Sequence, residues 1–185
     1  MTARSADGGF RRRYDSYGVE GFYQEFGDEY CNPDEATIRS ALRRAHSRWQ
    51  VDTTHVLDLA CGSGEVTLAL RQLGYPRIEG IDPHTGAAYQ DRTGQPARAL
   101  SFEQIAAGAL TGETFSLIVC SYALHLPEKS LLPGILVQLA LLSPSMVVLS
   151  PHKRPVIAAE WGWSLEDEFM EERTRIRLYR SSLDQ

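Results

Sequence analysis

The sequence predicts one α/β domain: a doubly wound, mostly parallel sheet with helices on both faces and an antiparallel edge at its C-terminal end. Three observations predict it. From Val56 onward, short apolar β-rich runs alternate with helical patterns, the order that builds a parallel sheet covered on both sides. A buried run ending at Leu59 is followed by Gly62, Gly64 and at once by a helical pattern. Such a turn opens the main chain to a ligand at the start of a helix. Finally, 185 residues of which 43% are hydrophobic suffice to bury roughly 70% of the unfolded surface around one core, without room for a second full domain.

Residues 1–13, ending in Arg11-Arg12-Arg13, read as a flexible, solvated tail. Residues 14–54 form a unit of their own, an aromatic flap followed by a first helix. The flap carries Tyr14, Tyr17, Phe22, Tyr23, Phe26 and Tyr30. The helix spans Glu35 to Trp49, with Ile38, Leu42 and Ala45 on one face and Arg39, Arg43 and Arg44 on another. Asn32-Pro33-Asp34 is its start signal. Residues 55–185 make the core domain. His55–Leu59 reads as a buried strand, Glu65–Leu73 as a helix stopped by Gly74, and Ile78–Ile81 as a second strand. A polar helix follows near Thr85–Asp91, then a weak third strand at Ala99–Phe102. Phe115–Cys120 is a strong fourth strand, Leu131–Leu142 a buried helix and Met146–Leu149 a fifth strand. Trp163 to Tyr179 reads as a hairpin added to the sheet edge, although Glu171-Glu172 is a poor turn signal. Its alternating Arg173, Arg175 and Arg177 read as a solvated edge face that discourages further pairing.

Composition excludes several classes. Asp+Glu number 24 against 19 Lys+Arg, a net charge of -5, which argues against a dedicated nucleic-acid binder. Cys31, Cys61 and Cys120 are odd in number and show no CxxC spacing, so reduced thiols are expected, with neither a disulfide framework nor a metal site. The longest apolar stretch, Leu131 to Leu142, is too short to span a bilayer, and no apolar region follows the basic N-terminal residues. A cytoplasmic protein is expected, with the nucleus also open to it.

The segment Val56-Leu57-Asp58-Leu59-Ala60-Cys61-Gly62-Ser63-Gly64-Glu65 carries the chemistry. Asp82 follows Gly62 by twenty residues and ends the second strand, where a carboxylate can accept both hydroxyls of a ribose. No third glycine completes G-x-G-x-x-G, and no phosphate-loop G-x-x-x-x-G-K-[ST] exists. Asp58, four residues before the first glycine, suits a ligand bearing an amino group there. Asp58, Asp82 and Cys120 should converge beyond the carboxyl ends of the strands.

Here the sequence resembles the class I S-adenosylmethionine-dependent methyltransferases, whose fold is Rossmann-like. Val56 to Gly64 is similar to that family's first motif, and Gly80-Ile81-Asp82-Pro83 to its ribose-binding second motif. Ser101-Phe102-Glu103 stands at the adenine-contacting third motif, without its usual Asp before a small residue. Leu117 to His125 resembles the fourth strand and the loop lining the methionine end. The resemblance covers roughly Tyr14 to Tyr179. It implies S-adenosylmethionine as methyl donor and S-adenosylhomocysteine as product. It also implies a cofactor site of Asp58, Ala60, Cys61, Gly62, Gly64, Asp82, Pro83, Ser101, Phe102, Glu103, Cys120, Ser121 and Tyr122.

His152 and His125 follow strands at the ligand edge and are the candidate bases. Lys153 and Arg154 are the candidate partners of an anionic acceptor, and Tyr23 and Tyr30 candidate acceptor contacts from the flap. The absence of a D/N-P-P-Y run after the fourth strand gives no pointer to a planar amino nitrogen. A small molecule, anionic by the Lys153-Arg154 pair, is the expected acceptor. A protein side chain, or a catalytically silent subunit acting as a partner-binding scaffold, is the alternative.

Overall fold

Four short runs that are apolar almost throughout must be covered on both faces, and they form the parallel half of a sheet. In the computed structural model, which describes residues 32–151 and 153–183, these are β1 (Val56–Leu59), β2 (Ile78–Ile81), β3 (Leu117–Ser121) and β4 (Ser145–Ser150). A C-terminal hairpin, β5 (Trp163–Glu171) and β6 (Thr174–Ser181), completes six strands in the order β2-β1-β3-β4-β6-β5. β1 to β4 pair in parallel, while β6 runs antiparallel to both β4 and β5.

Helices α1 (Glu35–Arg48) and α2 (Glu65–Gln72) cover one face, and α4 (Phe102–Ala106) and α5 (Leu132–Leu142) the other. Between α2 and α4 comes α3 (Gly86–Thr93). Alternation along each strand divides the core. Leu57, Leu59, Ile118 and Cys120 pack toward α5, whereas Val56, Leu117 and Val119 pack with Ile38 and Leu42 of α1. Among the described residues no helix is long and apolar enough to cross a membrane.

Two expectations are corrected. Ala99–Phe102 is not a strand; only Arg98 forms an isolated bridge to Ile81. The reason is local. Ser101 accepts from the Gln104 amide while the Gln104 side chain accepts from the Ser101 amide, a capping box that starts α4. The arginines of the last strand are not an edge face either, because β6 lies inside the sheet and β5 is the edge. Arg177 is only 6% exposed; it donates to the carbonyls of Lys153 (2.9 Å) and Pro155 (3.3 Å), holding the chain that leaves β4.

The hairpin belongs to both layers. A bulge between Leu165 and Asp167 changes which face β5 presents. Before it, the Trp163 indole donates to the Leu136 carbonyl of α5 at 2.9 Å. After it, Phe169 sits under the Arg44 guanidinium of α1 at 4.6 Å. Asp167 accepts from Arg48 and from the Trp49 indole at 2.8 Å, and these donors hold its carboxyl well below the usual range. The glutamates that make a poor turn signal are satisfied by α1: Ser40 and Arg44 donate to Glu171, and Thr37 to Glu172.

Gly80 tests the packing of α3. A Cβ there would stand 2.5 Å from Cζ of Tyr89, a fully buried ring. Gly80→Ala should therefore destabilise the fold by about 1–3 kcal/mol, read as a lower urea midpoint. An unchanged midpoint would show that Tyr89 yields freely.

Candidate active site

The site begins where β1 stops. Ala60, Gly62 and Gly64 take left-handed backbone angles, φ 57°, 54° and 91°, so the chain reverses tightly and enters α2. Gly62 is held from both sides. Its N–H donates to Asp82 at 3.2 Å, and its carbonyl accepts from the Thr85 hydroxyl at 2.7 Å. The second oxygen of Asp82 accepts from the amides of His84 (2.9 Å) and Thr85 (3.1 Å). One carboxylate thus fastens the glycine loop to the turn that opens α3.

A cleft of about 460 Å³ lies against this loop. It brings together Ala60, Cys61, Gly62, Asp82, Pro83, Ser101, Phe102, Glu103, Ser121 and Tyr122, all expected from the sequence. The volume is ordinary for a small-molecule site. Burial, reinforced by Asp58 and Asp82, pushes the Cys61 thiol far up, so it stays protonated.

Other expected residues stand elsewhere. Asp58 is 1% exposed and outside the lining. It accepts from the amide (3.1 Å) and hydroxyl (2.7 Å) of Thr67 on α2, and that hydroxyl also meets the Tyr89 phenol at 2.9 Å. Burial raises its pKa from 3.8 to about 8; the Thr67 hydroxyl opposes the rise and Glu65 adds to it. Gly64 serves packing rather than the cleft, since a Cβ there would lie 2.5 Å from Cγ2 of Thr93. Cys120 is fully buried on the α5 side, and burial lifts its thiol to about 12. His125, Lys153 and Arg154 are exposed and do not line the cleft. His152, Tyr23 and Tyr30 lie outside the described residues.

Three features escape a reading of the sequence. Glu65, 5% exposed, accepts from the Ser63 hydroxyl, from the Asn32 amide at 2.9 Å and from Arg92 at 3.0 Å. An acid in the first turn of a helix is an ordinary feature, and nothing local announces Arg92. Tyr122 adopts φ 57°, a strained angle for an aromatic residue, and its phenol bonds to Thr174 beside the turn of the hairpin. The Ser121 hydroxyl is buried with no hydrogen-bond partner among the described residues, a state that invites one from a ligand. Among the described residues no group of three or more His, Cys, Asp or Glu could hold a metal ion.

A parallel sheet with a glycine turn after β1 and a carboxylate at the end of β2 defines a Rossmann-like, nucleotide-binding class of domain. Residues 56–142 match the family described as a methyltransferase domain. An uncharacterised protein of Schizosaccharomyces pombe is 32% identical over 204 residues, spanning 88% of this chain and 82% of its own. The chain belongs to the class I S-adenosylmethionine-dependent methyltransferases. Its fold is similar to magnesium protoporphyrin IX methyltransferase of Synechocystis, solved with S-adenosylmethionine: TM-score 0.62, 18% identity, 98% of this chain and 100% of that one. It is also similar to the 1,6-didemethyltoxoflavin N1-methyltransferase of Burkholderia thailandensis, solved with S-adenosylhomocysteine: TM-score 0.61, 19% identity, 98% and 92% covered. An rRNA methylase of Escherichia coli shares the fold with TM-score 0.60 and 18% identity over 96% of this chain and 78% of its own.

The raised Asp58 carboxyl makes a pH prediction. The folded protein keeps a proton that the unfolded chain releases above its ordinary pKa of 3.8. Stability should therefore be fully present below that pH and decline as pH rises toward about 8. Asp58→Asn keeps an acceptor for Thr67 and should abolish the decline. Thermal melts at pH 5 and pH 8 decide it: equal pH dependence in both proteins would mean that Asp58 is ionised throughout.

Proposed function

We propose that the protein transfers the methyl group of S-adenosylmethionine to a small molecule within this cleft and releases S-adenosylhomocysteine. The observation that carries the reading is Asp82, presented at the cleft while its carboxylate also fixes the Gly62 peptide. Its Oδ2 accepts one 3.2 Å bond from the chain and has capacity left for a ribose hydroxyl. Ser101–Glu103 would flank the adenine. The glycine loop and the orphaned Ser121 hydroxyl would meet the methionine end.

When bound, S-adenosylmethionine supplies an electrophilic methyl group with a good leaving sulfur. What the protein adds is alignment, and fixed geometry alone can contribute roughly 7–11 kcal/mol to such a transfer. Rigid loops serve that end. Gly62 is clamped through both its N–H and its carbonyl, and Tyr122 is tied to Thr174. The Cys61 thiol is held neutral and offers no base. His125 is outside the lining, so the acceptor must reach reactivity without it.

The cavity's size favours a small acceptor over a protein side chain. A silent scaffold would have no use for a clamped loop beside an accessible carboxylate. The expected anionic acceptor loses its support, because Lys153 and Arg154 stand outside the lining. The buried free thiols Cys61 and Cys120 suit a reducing cytoplasm, where we place the protein.

Calorimetry should detect binding of S-adenosylhomocysteine to the intact protein. Asp82→Ala should weaken it tenfold to a hundredfold, about 1.5–3 kcal/mol of charge-assisted hydrogen bonding. Full affinity in a folded Asp82→Ala protein would move the ribose elsewhere, and absence of binding to the unaltered protein would end the proposal.

A further inference from the structure

We infer that Thr174, which lies outside the cleft lining, is a positioning residue for the ligand and acts through Tyr122. The inference rests on the reading above and deepens it, assigning the wall beside the methionine end to a remote part of the chain. Tyr122 lines the cleft between Ser121 and Ala123. Its φ of 57° is one that a bulky side chain abandons unless its surroundings over-determine it. Here both ends of the residue are held. The amide donates to the Leu149 carbonyl of β4 at 2.9 Å, and the phenol meets the Thr174 hydroxyl.

Thr174 is placed to hold rather than to bind. It is 2% exposed, opens β6 and is absent from the lining. Its own position is fixed by α1. Two residues before it, Glu172 takes φ 52° and accepts from Thr37 at 3.0 Å. Glu171 accepts from Ser40 at 2.6 Å and from Arg44 at 3.1 Å. Ile38, the neighbour of Thr37, lines the cleft and belongs to the buried cluster against which Tyr122 packs. The turn from Glu171 to Thr174 therefore grips two parts of one wall: α1 through its glutamates, and the chain after β3 through Thr174.

Burial raises the pKa of the Tyr122 phenol, so the group stays protonated and the pair is a neutral hydrogen bond. Without the Thr174 hydroxyl, a half-buried phenol loses its partner and Tyr122 is free to leave the left-handed region. Ser121, one peptide earlier, turns with it, and its orphaned hydroxyl loses the orientation that a ligand contact needs. The ribose side is insulated from that change. Asp82 follows β2, which is separated from β3 by β1, and its bonds to Gly62, His84 and Thr85 involve neither Tyr122 nor the hairpin.

The test uses the whole protein and two probes titrated by calorimetry. One is S-adenosylhomocysteine; the other is methylthioadenosine, which keeps the nucleoside and the sulfur but lacks the amino-acid chain. Thr174→Val should weaken S-adenosylhomocysteine at least fivefold and methylthioadenosine less than twofold. Thr174→Ser restores a hydroxyl and should return the first affinity to within twofold of the unaltered protein. Tyr122→Phe should match Thr174→Val, and the two changes together should cost no more than either alone. The double variant strands neither hydroxyl, so the comparison survives if Thr174→Val alone fails to fold. Equal losses for both probes, no loss for either, or losses that add in the double variant would overturn the inference. So would a Thr174→Ser protein as weak as Thr174→Val. Failure of S-adenosylhomocysteine to bind the unaltered protein would instead remove the function on which the inference stands, so the two failures separate cleanly.

Discussion

The backbone of Gly62, through its N–H and its carbonyl, is the point on which the site depends. Asp82 accepts from its N–H and the Thr85 hydroxyl donates to its carbonyl, so the loop after β1 and the turn after β2 cannot move independently. Asp82 has few alternatives, because its other oxygen is committed to two amides ahead of α3. A residue that serves a ligand is thereby placed under structural constraint before any ligand arrives. Such preorganisation limits the ordering entropy lost on binding.

Behind the loop, a charged relay joins elements distant in sequence. Glu65 at the head of α2 meets Arg92 of α3, which meets Glu35 of α1, which meets Arg39 a turn later. The inner end is nearly dry and the outer end is wet: Glu65 is 5% exposed and Arg39 43%. Removing an inner member would strand a partner in low dielectric, whereas the outer pair contributes little. The relay therefore matters most as a positioning device. It fixes Asn32, where the chain arrives at the cleft, to the same carboxylate that braces the glycine turn.

Much of this arrangement was legible in the sequence because it rests on short-range rules. Apolar runs such as Val56–Leu59 and Met146–Leu149 announce buried strands, and the spacing of Gly62 and Asp82 announces a nucleotide site. The misreadings arise where two local signals compete or where a partner is remote. Leu100 and Phe102 look like strand residues, but Ser101 and Gln104 form a cap around them. Asp58 has the identity of a ligand residue, yet Thr67, nine positions on, claims its carboxylate. Arg177 alternates with apolar neighbours like any solvated strand residue, and only the return of the chain after β4 buries it. Charge in the cleft is the least readable property, since Glu103 and Glu128 become neighbours of one cavity only through the fold.

The hairpin's double attachment has a consequence for biosynthesis. α1 is made early, but the side chains that cover its far side arrive late: Trp49 waits 118 positions for Asp167, and Ser40 waits 131 for Glu171. Until β5 leaves the ribosome, an amphipathic helix has only part of its cover. At ordinary elongation speeds that interval is several seconds or more. Closure of the last hairpin therefore completes the cover of α1, and a translational pause before Trp163 would prolong the exposed state.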